Sequence, residues 1–513
     1  MIVRVTMIFQ VVLLCFAGVT ETDAQQTGTT EVRTLIVFFD GLRPDYITAA
    51  AMPNLYAFKL QGAYGSRHHS VYPSVTRLNA ASYATGSYPG THGIMGNTIF
   101  FPQVSTNKTL NTGDAKDLNK VALATHDSLL TAVSVAEVLS AAGKNMMVFS
   151  SGSTGQALMQ NHKIKGGGII NPDMILPESL KEKVIKALGD PSGQDGPNEE
   201  RHVWVTDAFL KYGLQKDGPL VSAVWFSDPD HAGHSYGMGS AQARQAIKTV
   251  DQQFGRILSA LKERGLMEQF NIIVSADHGF VTYVGKQTLT GFLIEKGFKK
   301  DKESDDVIAA DGAIYIKEKN PKLVRDIVRA LQQQPWIGAV FTKAAKPGDM
   351  NGWVTGTLSY DAVHWNHATR AADILVDRNW DNTVNSAGYA GAGYSKGVAG
   401  HGGLSPYEIK IPLIVSGPGF IKHRVSDIPT SNVDLVPTVL ALYHIPVPAS
   451  MDGRVMRELM TGQPGEKTKP KEEIIETKAA DSWGTYRLQL TITRYGKYRY
   501  VDNAAVKRTF LAK

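Results

Sequence analysis

Thr34-Leu35-Ile36-Val37-Phe38-Phe39-Asp40-Gly41 is an almost wholly apolar run, rich in β-branched and aromatic residues, that stops at an acid and a glycine. With no polar alternation it reads as a strand buried on both faces, and it places Asp40 at the carboxyl end of that strand. Two later segments repeat the pattern. Val221 to Phe226 ends in Ser227-Asp228-Pro229-Asp230, and Asn271 to Ala276 ends in Asp277-His278-Gly279. Helical segments separate them: Ser134 to Ala142 before Gly143, and Ala241 to Arg264 before Gly265, the latter apolar at Ala246, Val250, Phe254, Ile257 and Leu261. Strands alternating with helices predict an α/β protein whose mainly parallel central sheet is flanked by helices, with ligands at the carboxyl ends of the strands. Three strands that end in acids therefore predict a site.

The bulk composition suits this. The 513 residues are 43% hydrophobic and 20% charged, enough to bury a large core. The formal charge of +6 is spread along the chain, which suits a small anionic substrate and gives no reason to expect a nucleic-acid polymer. Between His278 and His401 the pattern changes: Asp311 to Lys317 reads as a strand, Pro321 to Gln332 as a helix and Trp336 to Thr342 as another strand. The expected organisation is a catalytic domain over 30–289 and 376–513, interrupted by a small α+β cap over 290–375. The Gly-rich run Ala387 to Gly403 is expected to be a surface loop that returns His401 to the site.

The amino terminus reads as a signal peptide over 1–24: Arg4, an apolar run from Met7 to Val19, then Thr20 to Gln26 with Ala24 near its end. An exported protein, periplasmic or extracellular, is expected, and no later stretch is apolar for long enough to span a membrane. The only cysteine, Cys15, lies in this segment, so neither disulfides nor thiolate ligands are expected in the mature form. Nothing in the sequence sets an oligomeric state.

Asp230 and His234 stand four positions apart, Asp277 and His278 pair at another strand end, and His401 sits on glycines. Carboxylate and imidazole donors without thiolate suit zinc, with manganese or iron as alternatives. The chain also carries Phe39-Asp40-Gly41-Leu42-Arg43-Pro44-Asp45, Tyr72-Pro73-Ser74-Val75-Thr76, Thr85-Gly86-Ser87-Tyr88-Pro89 through His92-Gly93-Ile94 to Asn97, and, near its end, Asp434-Leu435-Val436-Pro437-Thr438. In this order the motifs resemble the alkaline phosphatase superfamily, specifically its nucleotide pyrophosphatase/phosphodiesterase branch, over about Thr34 to Leu459. The resemblance implies an alkaline-phosphatase-like sandwich and two zinc ions per chain. Asp230, His234 and His401 would hold one; Asp40, Asp277 and His278 would hold the other together with the nucleophile Thr76. It further implies that Asn97, with the backbone amide of Arg77, donates to a non-bridging phosphoryl oxygen, although a Gly96-Asn97 pair alone would read as a turn.

A threonine hydroxyl is a poor nucleophile near neutrality, and coordination to a metal activates it without a histidine base. The reaction implied is hydrolysis of a phosphodiester or pyrophosphate through a phosphothreonine. Two departures bear on substrate. Arg77 follows the nucleophile where nucleotide-cleaving relatives commonly carry an aromatic, so its guanidinium would either contact a second phosphoryl oxygen or pair with a nearby acid. Trp225 stands where three-metal alkaline phosphatases carry a glutamate, which argues against magnesium and for diesters. Tyr72, Trp225 and Tyr236 are candidate walls of a substrate pocket, or else core aromatics. His68, His69, His92, His231, His364 and His367 are expected to support the fold, His231 standing nearest the site. The competing readings are a phosphomonoesterase or phosphonate hydrolase on the same scaffold, and a secreted binding protein that has lost catalysis. The last would lack a ligand or the nucleophile, and none is missing.

Overall fold

The computed structural model describes residues 31–191, 198–463 and 468–511; the signal-peptide reading and Cys15 lie outside them. Arg33–Phe39 is a strand in which every residue is buried, because its branched and aromatic side chains meet packed layers on both faces. It is central in a ten-stranded sheet and lies parallel to Val221–Phe226 on one side and Phe270–Ser275 on the other. The register pairs Phe39 with Phe226 and Phe38 with Ser275, so the three strands end level. Met146–Ser150 and Gly167–Asn171 extend the parallel set. Lys410–Ser416 runs antiparallel to Phe270–Ser275 and starts the mixed edge.

Helices cover both faces. Ala241–Glu263 is capped by the Ser240 side chain and buries Ile247, Val250, Phe254, Ile257 and Leu261 against the sheet. Val135–Ala141 begins with a capping box between Ser134 and Glu137. On the other face of the central strand Phe38 stacks on Trp225, ring centroids 4.4 Å apart. The mainly parallel α/β architecture read from the sequence is the one observed.

Residues 290–375 contribute most of a second, five-stranded sheet. Its order is Val307–Ala310, Ala313–Ile316, Ile374–Arg378, Ile337–Thr342 and Leu358–Ser359, and the helix Pro321–Gln332 buries Ile327, Val328 and Leu331 beside it. The strand Ile374–Arg378 straddles the expected boundary at 375. The Gly-rich run is a loop only in part: 387–389, 397–398 and 401–403 lie outside strands, and the rest is sheet. Ala390–Lys396 and Ala399–Gly400 are strands of a four-stranded sheet with Val281–Gly285 and Trp380–Val384. Glycine is needed there for close packing rather than for flexibility: a Cβ on Gly391 would come 2.7 Å from the Tyr407 ring, and one on Gly400 would run into the Tyr283 hydroxyl.

Within the expected catalytic span, residues 471–510, for which the sequence suggested no particular element, form an antiparallel meander of Lys471–Asp481, Gly484–Tyr495 and Tyr498–Phe510. Its alternation is visible in Tyr486, Leu488, Leu490 and Ile492, all buried. It is tied to the main sheet through Asp502, which accepts from His69 Nε2 at 2.9 Å.

Candidate active site

The acids and histidines meet at the level carboxyl ends of the three strands. Asp40 follows Arg33–Phe39, Asp277 and His278 follow Phe270–Ser275, and Asp230 begins the short helix Asp230–Tyr236 that carries His234. His401 arrives on the glycines after Ala399–Gly400. Asp230 Oδ1 lies 3.2 Å from His234 Nε2, 3.1 Å from His401 Nε2 and 3.9 Å from His278 Nε2. His278 Nε2 lies 3.1 Å from Asp277 Oδ2 and 3.4 Å from Asp40 Oδ1. Two overlapping sets of potential ligands result, Asp230 with His234 and His401, and Asp40 with Asp230 and His278, so that Asp230 faces both.

The orientation of each group is fixed from behind. His234 Nδ1 donates to the Ala399 carbonyl at 3.0 Å, His278 Nδ1 to that of Gly279 at 2.9 Å and His401 Nδ1 to that of Ser74 at 2.8 Å, which turns all three Nε2 atoms inward with their lone pairs free. Trp225 Nε1 donates to Asp40 Oδ2 at 3.1 Å, and the Gly41 amide to Asp277 Oδ1 at 3.0 Å. The opposite oxygens, Asp40 Oδ1 and Asp277 Oδ2, together with Asp230 Oδ1, are buried and accept no hydrogen bond among the described residues. Burial and the charges of Asp277 and Asp230 push the Asp40 carboxyl well above its usual range. Burial also acts upward on Asp230, but His234 and His401, when protonated at Nε2, outweigh it and hold that carboxyl well below; a bound cation would take the place of those protons. Three carboxylates converging without donors, ringed by imidazole lone pairs, fit divalent cations held by oxygen and nitrogen.

Thr76 is the first residue of the helix Thr76–Thr85 and is 4% exposed, its Oγ1 3.2 Å from His278 Nε2. The Arg77 amide donates to Asn97 Oδ1 at 2.9 Å, so it holds Asn97 rather than standing free as a second donor. The Asn97 carbonyl accepts from both the amide and the hydroxyl of Thr112, at 3.0 and 2.6 Å. The Arg77 guanidinium packs against Gly113, where an added Cβ would come 2.8 Å from Nη2, and its Nε is buried without a partner among the described residues.

A cavity of about 310 Å³ opens beside these groups, with Tyr72, Asn97, His234 and His401 on one side and Asp311, Leu375 and Asp377 of the inserted sheet on the other. Of the three candidate pocket aromatics, Tyr72 lines it. Trp225 does not: it is fully buried and serves Asp40. Tyr236 is 55% exposed at the end of its helix and is not in the cavity wall. His231 faces a different cavity, beside Lys116, Ser153 and Asn198. The sequence reading missed Glu408 and Asp377, which accept from the amides of Gly403 and Leu404 at 2.8 and 3.2 Å and so hold the loop after His401.

Residues 34–401, which include every one of these candidate ligands, match the family model for type I phosphodiesterase / nucleotide pyrophosphatase. The chain belongs to that family. It is 27% identical over 253 residues to ectonucleotide pyrophosphatase/phosphodiesterase family member 3 of Mus musculus, covering 48% of this chain and 24% of that protein. Venom phosphodiesterase CdcPDE of Crotalus durissus collilineatus is 29% identical over 258 residues, covering 48% and 26%. The chain thus spans about a quarter of the length of these curated relatives. The fold is shared with murine ectonucleotide pyrophosphatase / phosphodiesterase 5, with a TM-score of 0.58 at 19% identity over 84% of this chain and 100% of that one. A mutant of alkaline phosphatase PafA gives a TM-score of 0.62 at 15% identity, over 84% and 99%.

Proposed function

We propose that this chain is an exported two-zinc phosphodiesterase or nucleotide pyrophosphatase that works through a phosphothreonine on Thr76, with residues 290–375 as a cap over the site. The observation that carries the proposal is the Thr76 hydroxyl, buried 3.2 Å from His278 Nε2 at the edge of the ligand cluster. Asp230, His234 and His401 would hold one ion, and Asp40, Asp277, His278 and Thr76 the other. When bound, the pair of ions supplies Lewis-acid stabilisation of the attacking and leaving oxygens of an in-line displacement.

The protein's own groups do the rest. Thr76 Oγ1 gives up its proton to solvent and bonds to phosphorus, while the bond from phosphorus to the leaving oxygen breaks and that oxygen departs as the anion or takes a proton from solvent; water then attacks phosphorus and loses a proton, the bond from phosphorus to Oγ1 breaks, and Oγ1 is reprotonated to the hydroxyl. Asn97 Oδ1 is held by the Arg77 amide, so the side chain's Nδ2 is its donor for a non-bridging oxygen, stabilising the charge that grows there. The helix Thr76–Thr85 presents its amino terminus to the same anion. The Arg77 guanidinium packs against Gly113, and so placed it would not serve as a second phosphoryl contact, which supports the reading of diesters over monoesters.

The test uses holoenzyme and bis-p-nitrophenyl phosphate. Thr76→Ala should keep its metal and lose most turnover, Thr76→Ser should keep part of it, and acid quenching should trap a phosphoryl group on the peptide containing Thr76. A near-normal rate in Thr76→Ala would replace this mechanism with direct attack by water. Faster turnover of p-nitrophenyl phosphate than of the diester would make the chain a monoesterase.

A further inference from the structure

We propose that Asp311, at the tip of the inserted hairpin, is a positioning residue for Asn97 and so completes the phosphoryl-binding half of the site from outside the main fold; this rests on the reading of Asn97 above. The strands Val307–Ala310 and Ala313–Ile316 are joined by Asp311 and Gly312, and this turn reaches Gly96, Asn97 and Thr98, the last of which opens the short strand Thr98–Phe100. Asp311 Oδ2 accepts the Thr98 amide at 2.7 Å. Gly96 allows the approach, since a Cβ there would lie 3.0 Å from that oxygen. The hairpin is docked independently of this bond by Phe100, whose ring meets Tyr315 edge-on at 5.3 Å.

Asn97 is therefore held from three directions. The Arg77 amide fixes its side-chain oxygen, Thr112 fixes its carbonyl, and Asp311 fixes the amide that follows it. The first two partners belong to the main fold, some fifteen to twenty residues away in sequence. Asp311 is 213 residues from Thr98 and is the insert's own contribution. Asp311 is exposed into the same cavity that Asn97 and His401 line, so the bond stands in the wall that the substrate would meet. A donor aimed at developing charge loses its effect when its loop shifts by a fraction of an ångström. Asp311 has a left-handed backbone, φ 52°, which aspartate, asparagine and glycine tolerate and alanine does not. Asp311→Gly therefore removes the carboxylate without straining the turn, and Asp311→Asn keeps an oxygen that still accepts the Thr98 amide.

The experiment compares the wild type with Asp311→Gly, Asp311→Asn, Asn97→Ala and the double variant Asn97→Ala/Asp311→Gly. Each is measured as zinc-loaded enzyme with bis-p-nitrophenyl phosphate and by amide hydrogen exchange of the 94–100 segment. Asp311→Gly should lose about ten- to a hundredfold in kcat with a much smaller change in KM and unaltered zinc content, and it should lose protection at Thr98. Asp311→Asn should recover most of the rate and the protection. In the Asn97→Ala background, Asp311→Gly should cost less than about twofold, because the group it positions is already gone. Losses that multiply in the double variant, or an Asp311→Asn as slow as Asp311→Gly, would overturn the positioning role. Full activity in Asn97→Ala alone would instead refute the reading of Asn97, and unchanged Thr98 exchange in Asp311→Gly would refute the proposal even in an enzyme with no measurable turnover.

Discussion

Lowering the pH from about 7.5 to about 5.5 should remove about 1.4 kcal/mol of folding stability through His92 alone. The His92 ring is fully buried. Its Nδ1 accepts the Ile94 amide at 3.1 Å, which leaves Nε2–H to donate to Ser82 Oγ at 2.9 Å. Adding a proton at Nδ1 would set two N–H groups against each other inside the core. Burial, with the charges of His367 and Arg370, accordingly lowers its pKa from 6.5 to about 3. As pH falls below 6.5 the unfolded chain takes up a proton that the folded protein refuses until about 3, so stability is whole above this window and lost on the way down through it. His68 and His364 are lowered to about 3 for the same first reason, burial. The three together remove about 4 kcal/mol over this pH interval, a large share of the usual 5–15 kcal/mol. Urea unfolding of chelator-treated protein, followed by tryptophan fluorescence, measures this. His92→Gln should be less stable than the wild type near neutrality, yet should lose about 1.4 kcal/mol less between the two pH values. Identical pH dependence in the two proteins would refute the argument.

Two further predictions concern the candidate metal centre. Trp225→Phe removes the indole donor to Asp40 Oδ2 while keeping a ring to stack on Phe38; zinc affinity, measured by competition with a chelating dye, should fall about ten- to a hundredfold, and an unchanged affinity would show that the indole does not orient Asp40. His401→Ala should bind less zinc per chain by elemental analysis and lose most activity, whereas full occupancy with full activity would mean that His401 is not a ligand.

The sequence alone determined the elements whose pattern is local. Residues 34–39, 221–226 and 271–275 are strands because unbroken runs of branched and aromatic residues suit a sheet covered on both faces. Ala241–Glu263 and Pro321–Gln332 are helices because their apolar residues recur at helical spacing. An acid at each strand end was enough to place a candidate site, since parallel strands in register bring their carboxyl ends together whatever lies between them. Tertiary structure alone decided how those residues are used. The glycines of 387–403 read as a loop because a missing side chain leaves no periodic pattern; only the Tyr283 and Tyr407 rings packed on Gly391, Gly393 and Gly400 show that these three belong to strands. Trp225 read equally well as pocket wall or core until its indole was seen to serve Asp40. Asp311, Asp377 and Glu408 left no signal, because each acts on a backbone amide, and an amide looks the same in every residue of a sequence. Which amide a carboxylate meets across two hundred residues of chain is set by the docking of the inserted sheet, a packing outcome that no local pattern encodes.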